Sequence, residues 1–141
     1  MGSLPKIVSV IKSSKWSNKS PWAEWTKEYN PKTDDITMQF YNDALYNYML
    51  EPLGFERYHY VLKSDFEVFP DDQAQIFYNE DMAMVNKFLE GDGGMVIREY
   101  QNTWNDLKGA PNNDGYWRYV WKEDGHIYVG GRTDKPVIFK N

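Results

Sequence analysis

His59 and His126 are the only imidazoles in the chain, and imidazole is the side chain that titrates nearest neutral pH. Paired with a carboxylate such as Asp43, His59 would supply the minimum for a small acid–base enzyme working in a pocket. Nothing in the spacing brings the two together. His59 alternates with Arg57 and Val61 and fits a hydrogen-bonded structural role, while His126 follows a hairpin signal and reads as a solvated residue at a strand edge. Neither is assigned to catalysis, and no catalytic residue is expected. The chain has no cysteine, which removes disulfides, thiolate metal sites and cysteine nucleophiles together and is compatible with a reducing cytoplasm. Gly-x-Gly-x-x-Gly, Walker-type Gly-Lys-Ser/Thr and His-Glu-x-x-His patterns are absent too. Glu90-Gly91-Asp92-Gly93-Gly94 lacks the acidic spacing and the distal glutamate of a calcium loop and reads as a turn. No metal site is expected.

The more informative chemistry is aromatic. Phe, Trp and Tyr make up 17% of the chain and fall in alternating runs such as Tyr116-Trp117-Arg118-Tyr119-Val120-Trp121. Such runs describe strands with a ring-lined interior, and Tyr and Trp carry polar handles that need partners once buried. A carboxylate among them would be a charge-assisted acceptor, and interleaved arginines would be forks for carboxylates.

These residues need elements to position them. Leu4, Ile7, Val8 and Ile11 recur at helical spacing. Ser20-Pro21 resembles an N-cap followed by proline, predicting a second helix with Trp22, Trp25 and Tyr29 on one side, ended by Asn30-Pro31. From Asp34 the period changes to two, with Ile36, Met38 and Phe40 on one face of a strand. Phe40 to Leu50 fits a helix or a strand, and its tyrosine density favours the strand. Pro52-Leu53-Gly54 then turns the chain.

Phe55 to Lys63, Phe66 to Phe69, Gln73 to Asn79 and Met95 to Trp104 all read as extended and joined in a meander, interrupted by a helix-compatible Met82 to Leu89. Asp124-Gly125 predicts a hairpin pairing Tyr116–Trp121 with His126–Val129. Gly130-Gly131 and Pro136 are expected to interrupt the chain after Val129, before Val137-Ile138-Phe139 closes the sheet. The fold expected from this order is mainly β, an antiparallel barrel or strongly curved sheet with short N-terminal helices. An α+β cone, with helices covering one face of a curved sheet, fits the same order. The length of 141 residues suits a single domain, residues 1–141.

Sixteen basic against 21 acidic residues give a formal charge of −5, which opposes nonspecific binding to nucleic acid. No apolar run approaches the roughly 20 residues that span a bilayer, and Leu4 to Ile11 lacks a cleavage signature. A soluble, unsecreted protein with neither nucleic-acid nor membrane partner is expected.

Three stretches, in order, resemble the T-type phycobiliprotein lyases, the CpeT/CpcT family. Trp16-Ser17-Asn18-Lys19 is similar to that family's Ser-Asn-Gln/Lys segment after an aromatic residue, with Pro21-Trp22 where Gln-Ala is usual. Phe40 to Leu50 resembles its Tyr-x-Glu-Gln-Ala-Tyr region, with Asp43 in place of the glutamate, and Phe55 to Lys63 stands where an arginine-rich strand is customary. His126 to Gly131 and Pro136 to Phe139 are similar to the terminal glycine turn and last strand. Asp65 to Asn113 carries no motif of the family.

The resemblance implies a lipocalin-like antiparallel β-barrel that binds an open-chain tetrapyrrole (a bilin such as phycoerythrobilin or phycocyanobilin) as substrate. It implies delivery of that bilin to a cysteine of a phycobiliprotein β-subunit, with no other cofactor, and the family precedent favours a homodimer. The setting implied is the cytoplasm of a cyanobacterial cell, and so short a version would suit a cyanophage genome. For such a ligand, Asp43 on an inward-facing strand would accept from pyrrole N–H groups. Arg57, Arg98, Arg118 or Lys63 would hold propionates. Tyr41, Tyr46, Tyr48, Tyr58, Tyr60, Trp117 and Trp121 would stack on or edge the pigment, though rings on strands more often fill core. Trp22 and Trp25 would pack a helix on the barrel or dock the acceptor protein. Two rivals stand beside this reading: a non-enzymatic carrier of an apolar ligand or protein-interaction module, and the small acid–base enzyme built on His59 and Asp43.

Overall fold

The structure is a computed structural model and describes residues 22–101 and 115–133. The expected helix at Leu4–Ile11, the Ser20-Pro21 cap, the strand beyond Gln101 and the closing Val137–Phe139 segment lie outside these residues, as do the Trp16–Lys19 and Pro136–Phe139 stretches of the resemblance.

The architecture is mainly β. Strands β1 (Glu24–Tyr29), β2 (Ile36–Tyr41), β3 (Val96–Gln101), β4 (Gly115–Glu123) and β5 (His126–Thr133) form one antiparallel sheet in the order β2-β1-β5-β4-β3. Among the described residues the sheet is open, with β2 and β3 at its edges. The hairpin expected at Asp124-Gly125 forms: both residues take positive φ, 51° and 82°, and β4 pairs with β5 from Glu123↔His126 onward.

Between β2 and β3 the chain is helical. A short helix α1 (Asp43–Leu45) runs into a π turn (Tyr46–Leu50) and a 3₁₀ turn (Glu51–Leu53) that ends on Gly54 at φ 82°. Turns over residues 57–62 lead to a second 3₁₀ turn (Asp65–Glu67) closed by a Ser64/Glu67 capping box, and then to the long helix α2 (Asp71–Glu90). Helix α2 starts after Pro70 with Asp71 and Asp72 in its first turn and has Lys87 in its last, matching the helix dipole at both ends.

Several expectations are corrected. The predicted helix from Ser20-Pro21 to Tyr29 is instead strand β1 over Glu24–Tyr29, held between β2 and β5. Its alternation is hard to see because Lys27 sits on the inner face with Trp25 and Tyr29 and is buried. Phe40 to Leu50 turns helical at Asn42, whose buried amide caps α1 by accepting from Leu45 N at 3.0 Å and also accepts from Glu24 N at 3.1 Å. Phe55–Lys63 and Phe66–Phe69 are turns rather than strands, and Gln73–Asn79 belongs to α2, so no meander connects them. The Met82–Leu89 helix is real but is only the C-terminal part of a 20-residue element. Gly130-Gly131 does not break β5, which continues to Thr133.

A bulge re-aims one strand. Met38 pairs with Lys27 and Phe40 with Thr26, leaving Gln39 as the extra residue on β2. The insertion reverses the alternation, so Tyr41 turns inward beside Met38 and Phe40 leaves the face predicted for it.

Helix α2 covers the inner face of the sheet. Met84, Val85 and Phe88 pack on Tyr29, Ile36, Val120, Ile127 and Val129. A second cluster joins Met38 and Tyr41 to Leu45, Leu50, Tyr60, Phe69 and Phe77. The opposite face of β4 and β5 carries Trp117, Tyr119, Trp121 and Tyr128.

Candidate functional site

The cluster around Leu45 borders a cleft of about 50 Å³ lined by Trp25, Lys27, Met38, Leu45, Met49, Tyr60, Phe77, Tyr116 and Arg118. Sheet register explains its shape. Trp25, Gly131, Arg118 and Arg98 form one cross-strand row on the inner face of β1, β5, β4 and β3. The glycine leaves an empty side-chain position in that row, and the Trp25 indole fills it. A Cβ at Gly131 would stand 2.1 Å from Trp25 Cζ2. The indole therefore lies on bare backbone and gives the cleft a flat wall, with the Tyr116 ring 5.9 Å away.

Behind the apolar lining lies a buried ionic cluster. Lys27 Nζ donates to Asp65 Oδ2 and Asp81 Oδ2, both at 2.9 Å. The Arg118 guanidinium reaches Glu80 Oε2 at 2.7 Å and Asp81 Oδ1 at 3.1 Å. Tyr60 donates to Asp65 and Tyr116 to Glu80. Lys27, Asp81 and Arg118 are no more than 4% exposed. Charges so deprived of water persist only when paired, and here each cation has two carboxylates. Burial alone would lower the Lys27 pKa, yet Asp65 and Asp81 together leave it raised, so the amine stays protonated and is no nucleophile. Burial pushes both tyrosine hydroxyls up, and their carboxylate partners reinforce the shift. The phenols hold their protons and act as donors.

The residues expected to bind a ligand are divided between two places. Tyr60 and Arg118 are at the cleft. Arg57, Asp43, Tyr41, Tyr46 and Tyr58 gather around α1 instead: Arg57 Nε donates to Asp43 Oδ1 at 2.8 Å, and its guanidinium lies 5.0–5.7 Å from the three tyrosine rings. Tyr41 donates to Arg57 O at 2.6 Å and Tyr46 to Phe55 O at 2.8 Å. Asp43 is corrected from an inward strand position to the exposed first turn of α1, because Asn42 starts a helix there. Tyr48 packs on the cluster around Leu45, and Tyr58 is exposed. Arg98 is exposed on edge strand β3, and its guanidinium lies 5.1 Å from the Tyr100 ring. Lys63 donates to His59 O.

His59 stacks on Phe55 at 4.3 Å and makes no hydrogen bond or ion pair to Asp43, so the acid–base pair is not assembled. His126 is exposed at the start of β5, with Nδ1 3.0 Å from Glu28 Oε2. Trp117 and Trp121 are on the sheet face opposite the cleft. Trp22 lies over Arg132, with 4.2 Å between guanidinium and ring.

Sequence reasoning missed Lys27, Asp65, Glu80 and Asp81 as site residues. Asp81 was visible as a polar residue inside the apolar stripe Phe77, Met84, Val85, Phe88, but only once that stripe is read as one helix. Among the described residues no cluster of His, Asp and Glu is arranged to hold a metal ion, and no helix is long and apolar enough to cross a membrane. No model of a known protein family matches the chain, and no curated protein matches it.

Proposed function

We propose that the inner face of the sheet is a ligand site for a flat, conjugated, acid-bearing molecule, and that this ligand is an open-chain tetrapyrrole presented to a phycobiliprotein β-subunit. The observation that carries the reading is the cleft itself. Its walls are Trp25, Tyr60, Phe77 and Tyr116, with the stems of Lys27 and Arg118 between them. Rings lining a narrow apolar cleft suit a conjugated body, and the ligand's identity comes from the resemblance of Trp16–Lys19, Phe40–Leu50, His126–Gly131 and Pro136–Phe139 to the T-type lyases. At about 50 Å³ the cleft admits a ring edge, and the remaining length of the pigment lies outside it. In the finer form of this proposal, the fold is a lipocalin-like barrel around that outer part.

The attachment step needs no nucleophile from this chain. The partner's cysteine thiol adds across the pigment's exocyclic carbon–carbon double bond. A sulfur–carbon bond forms, the π bond is consumed, and the thiol proton ends on the neighbouring carbon. This chain's contribution is orientation, since fixing two reactants in a productive geometry lowers a barrier by several kcal/mol, up to about 7–11 in the best cases.

The test is an absorption spectrum of the purified protein mixed with phycoerythrobilin or phycocyanobilin. A red-shifted, sharpened band that disappears in Met49→Trp, which fills the cleft, supports the site. Asp43→Ala, on the exposed face of α1, is expected to keep the band. An unchanged pigment spectrum with the native chain removes the proposal, and co-expression with an acceptor β-subunit separates a lyase from a carrier.

A further inference from the structure

Resting on the ligand site proposed above, we infer that the ligand enters with an uncharged ring end in the cleft and its carboxylates at Arg98. Neither cation of the cleft wall is available to an acid. Lys27 is bound by Asp65 and Asp81, Arg118 by Glu80 and Asp81, and these five side chains carry three carboxylates against two cations. A ligand carboxylate pushed beside them would meet an excess of negative charge in a site stripped of water, where repulsion is least screened. Arg118, one of the four cations expected to hold propionates, is therefore a structural cation.

A path out of the cleft ends on a different arginine. The Trp25 ring is 5.9 Å from Tyr116, Tyr116 is stacked on Tyr100 at 5.7 Å with an interplanar angle of 11°, and Tyr100 is 5.1 Å from the Arg98 guanidinium. The row Trp25–Gly131–Arg118–Arg98 that supports this ladder crosses three strand spacings, about 14 Å. That span suits a ligand several rings long. Arg98 is exposed and has no carboxylate within ion-pair distance among the described residues, in contrast to Arg57, which is committed to Asp43. The Tyr100 hydroxyl is buried on the same ladder with no hydrogen-bond partner among the described residues, a donor that a bound ligand can satisfy. Rings from the cleft outward and a guanidinium beyond them are the complement of a conjugated molecule with an uncharged terminal ring and its acids on inner rings further along its length.

The experiment compares free biliverdin-type diacid with its dimethyl ester by absorption titration, using the native chain, Arg98→Gln and Arg57→Gln. Arg98→Gln is expected to weaken the diacid about fivefold, the upper range for an exposed ion pair, and to leave the ester's affinity at the native value. Arg57→Gln is expected to change neither. Equal diacid affinity in the native chain and Arg98→Gln, or a loss confined to Arg57→Gln, overturns the Arg98 assignment while the cleft stands. Absence of binding for both diacid and ester overturns the ligand site itself.

Discussion

Replacing Lys27 by methionine tests the buried ionic cluster most directly. The side chain is 4% exposed and bridges Asp65 and Asp81 at 2.9 Å each, so Lys27→Met keeps most of the volume and removes one charge from five. Three carboxylates then face Arg118 alone. Breaking a buried pair by deleting one partner costs about 3–5 kcal/mol, and the double contact puts this case at the upper end. Asp81→Asn removes a charge from the same network but leaves two carboxylates for two cations, Asp65 with Lys27 and Glu80 with Arg118. Its cost is that of weakened hydrogen bonds, about 1–3 kcal/mol. The assay is urea unfolding followed by tryptophan fluorescence at neutral pH. The two variants also respond differently to acid. In Lys27→Met the stranded carboxylates gain a proton more readily folded than unfolded, so the deficit relative to the native chain shrinks as pH falls toward the carboxylate range. A loss below about 1 kcal/mol for Lys27→Met, or a larger loss for Asp81→Asn than for Lys27→Met, would refute the account of the cluster as charge held by charge.

Three further outcomes are expected. Lys27, Tyr60, Tyr116 and Tyr119 all have raised pKa values, and Tyr29 is pushed up to about 12 by its hydrogen bond to Asp34, so each keeps its proton when the unfolded chain has lost it. Their contributions are complete below about pH 10 and decline above it, which thermal unfolding between pH 8 and 11, read with phenolate absorbance, will show as a Tm falling from about pH 10 upward. Gly131→Ala places a Cβ against the Trp25 indole and lifts it into the cleft; about 1–3 kcal/mol of stability is lost and the tryptophan emission shifts. Asn42→Ala removes the cap of α1 and the tie to Glu24 N, costing about 1–2 kcal/mol in urea unfolding with little change in the strand signal of circular dichroism.

The chain's own pattern was legible where hydrophobicity and turn chemistry agree. The Asp124-Gly125 hairpin, strand β2 from Ile36 and the aromatic strand β4 are all set by local choices: φ values only certain residues tolerate, and alternation with period two. The ring-rich composition likewise announced a lined interior, while Tyr60 and Arg118 became ligand candidates only through the resemblance and the pigment it implies. Reading failed where a charge sits in the core. Lys27 hid the alternation of β1, and Asp81 broke the apolar stripe of α2, because each is soluble in the interior only through a partner 38 or 54 positions away in the chain. No local window contains that partner. Register was equally out of reach: the bulge at Gln39 decides that Tyr41 rather than Phe40 faces inward, and the row that sets Trp25 on Gly131 exists only when β1 and β5 pair. Local sequence thus determined the turns, several strands and the supply of rings, since those follow from backbone sterics and short-range pattern. Tertiary structure decided which charges are buried together, which arginine is spent on neighbours and which faces outward, because those depend on distances between segments far apart along the chain.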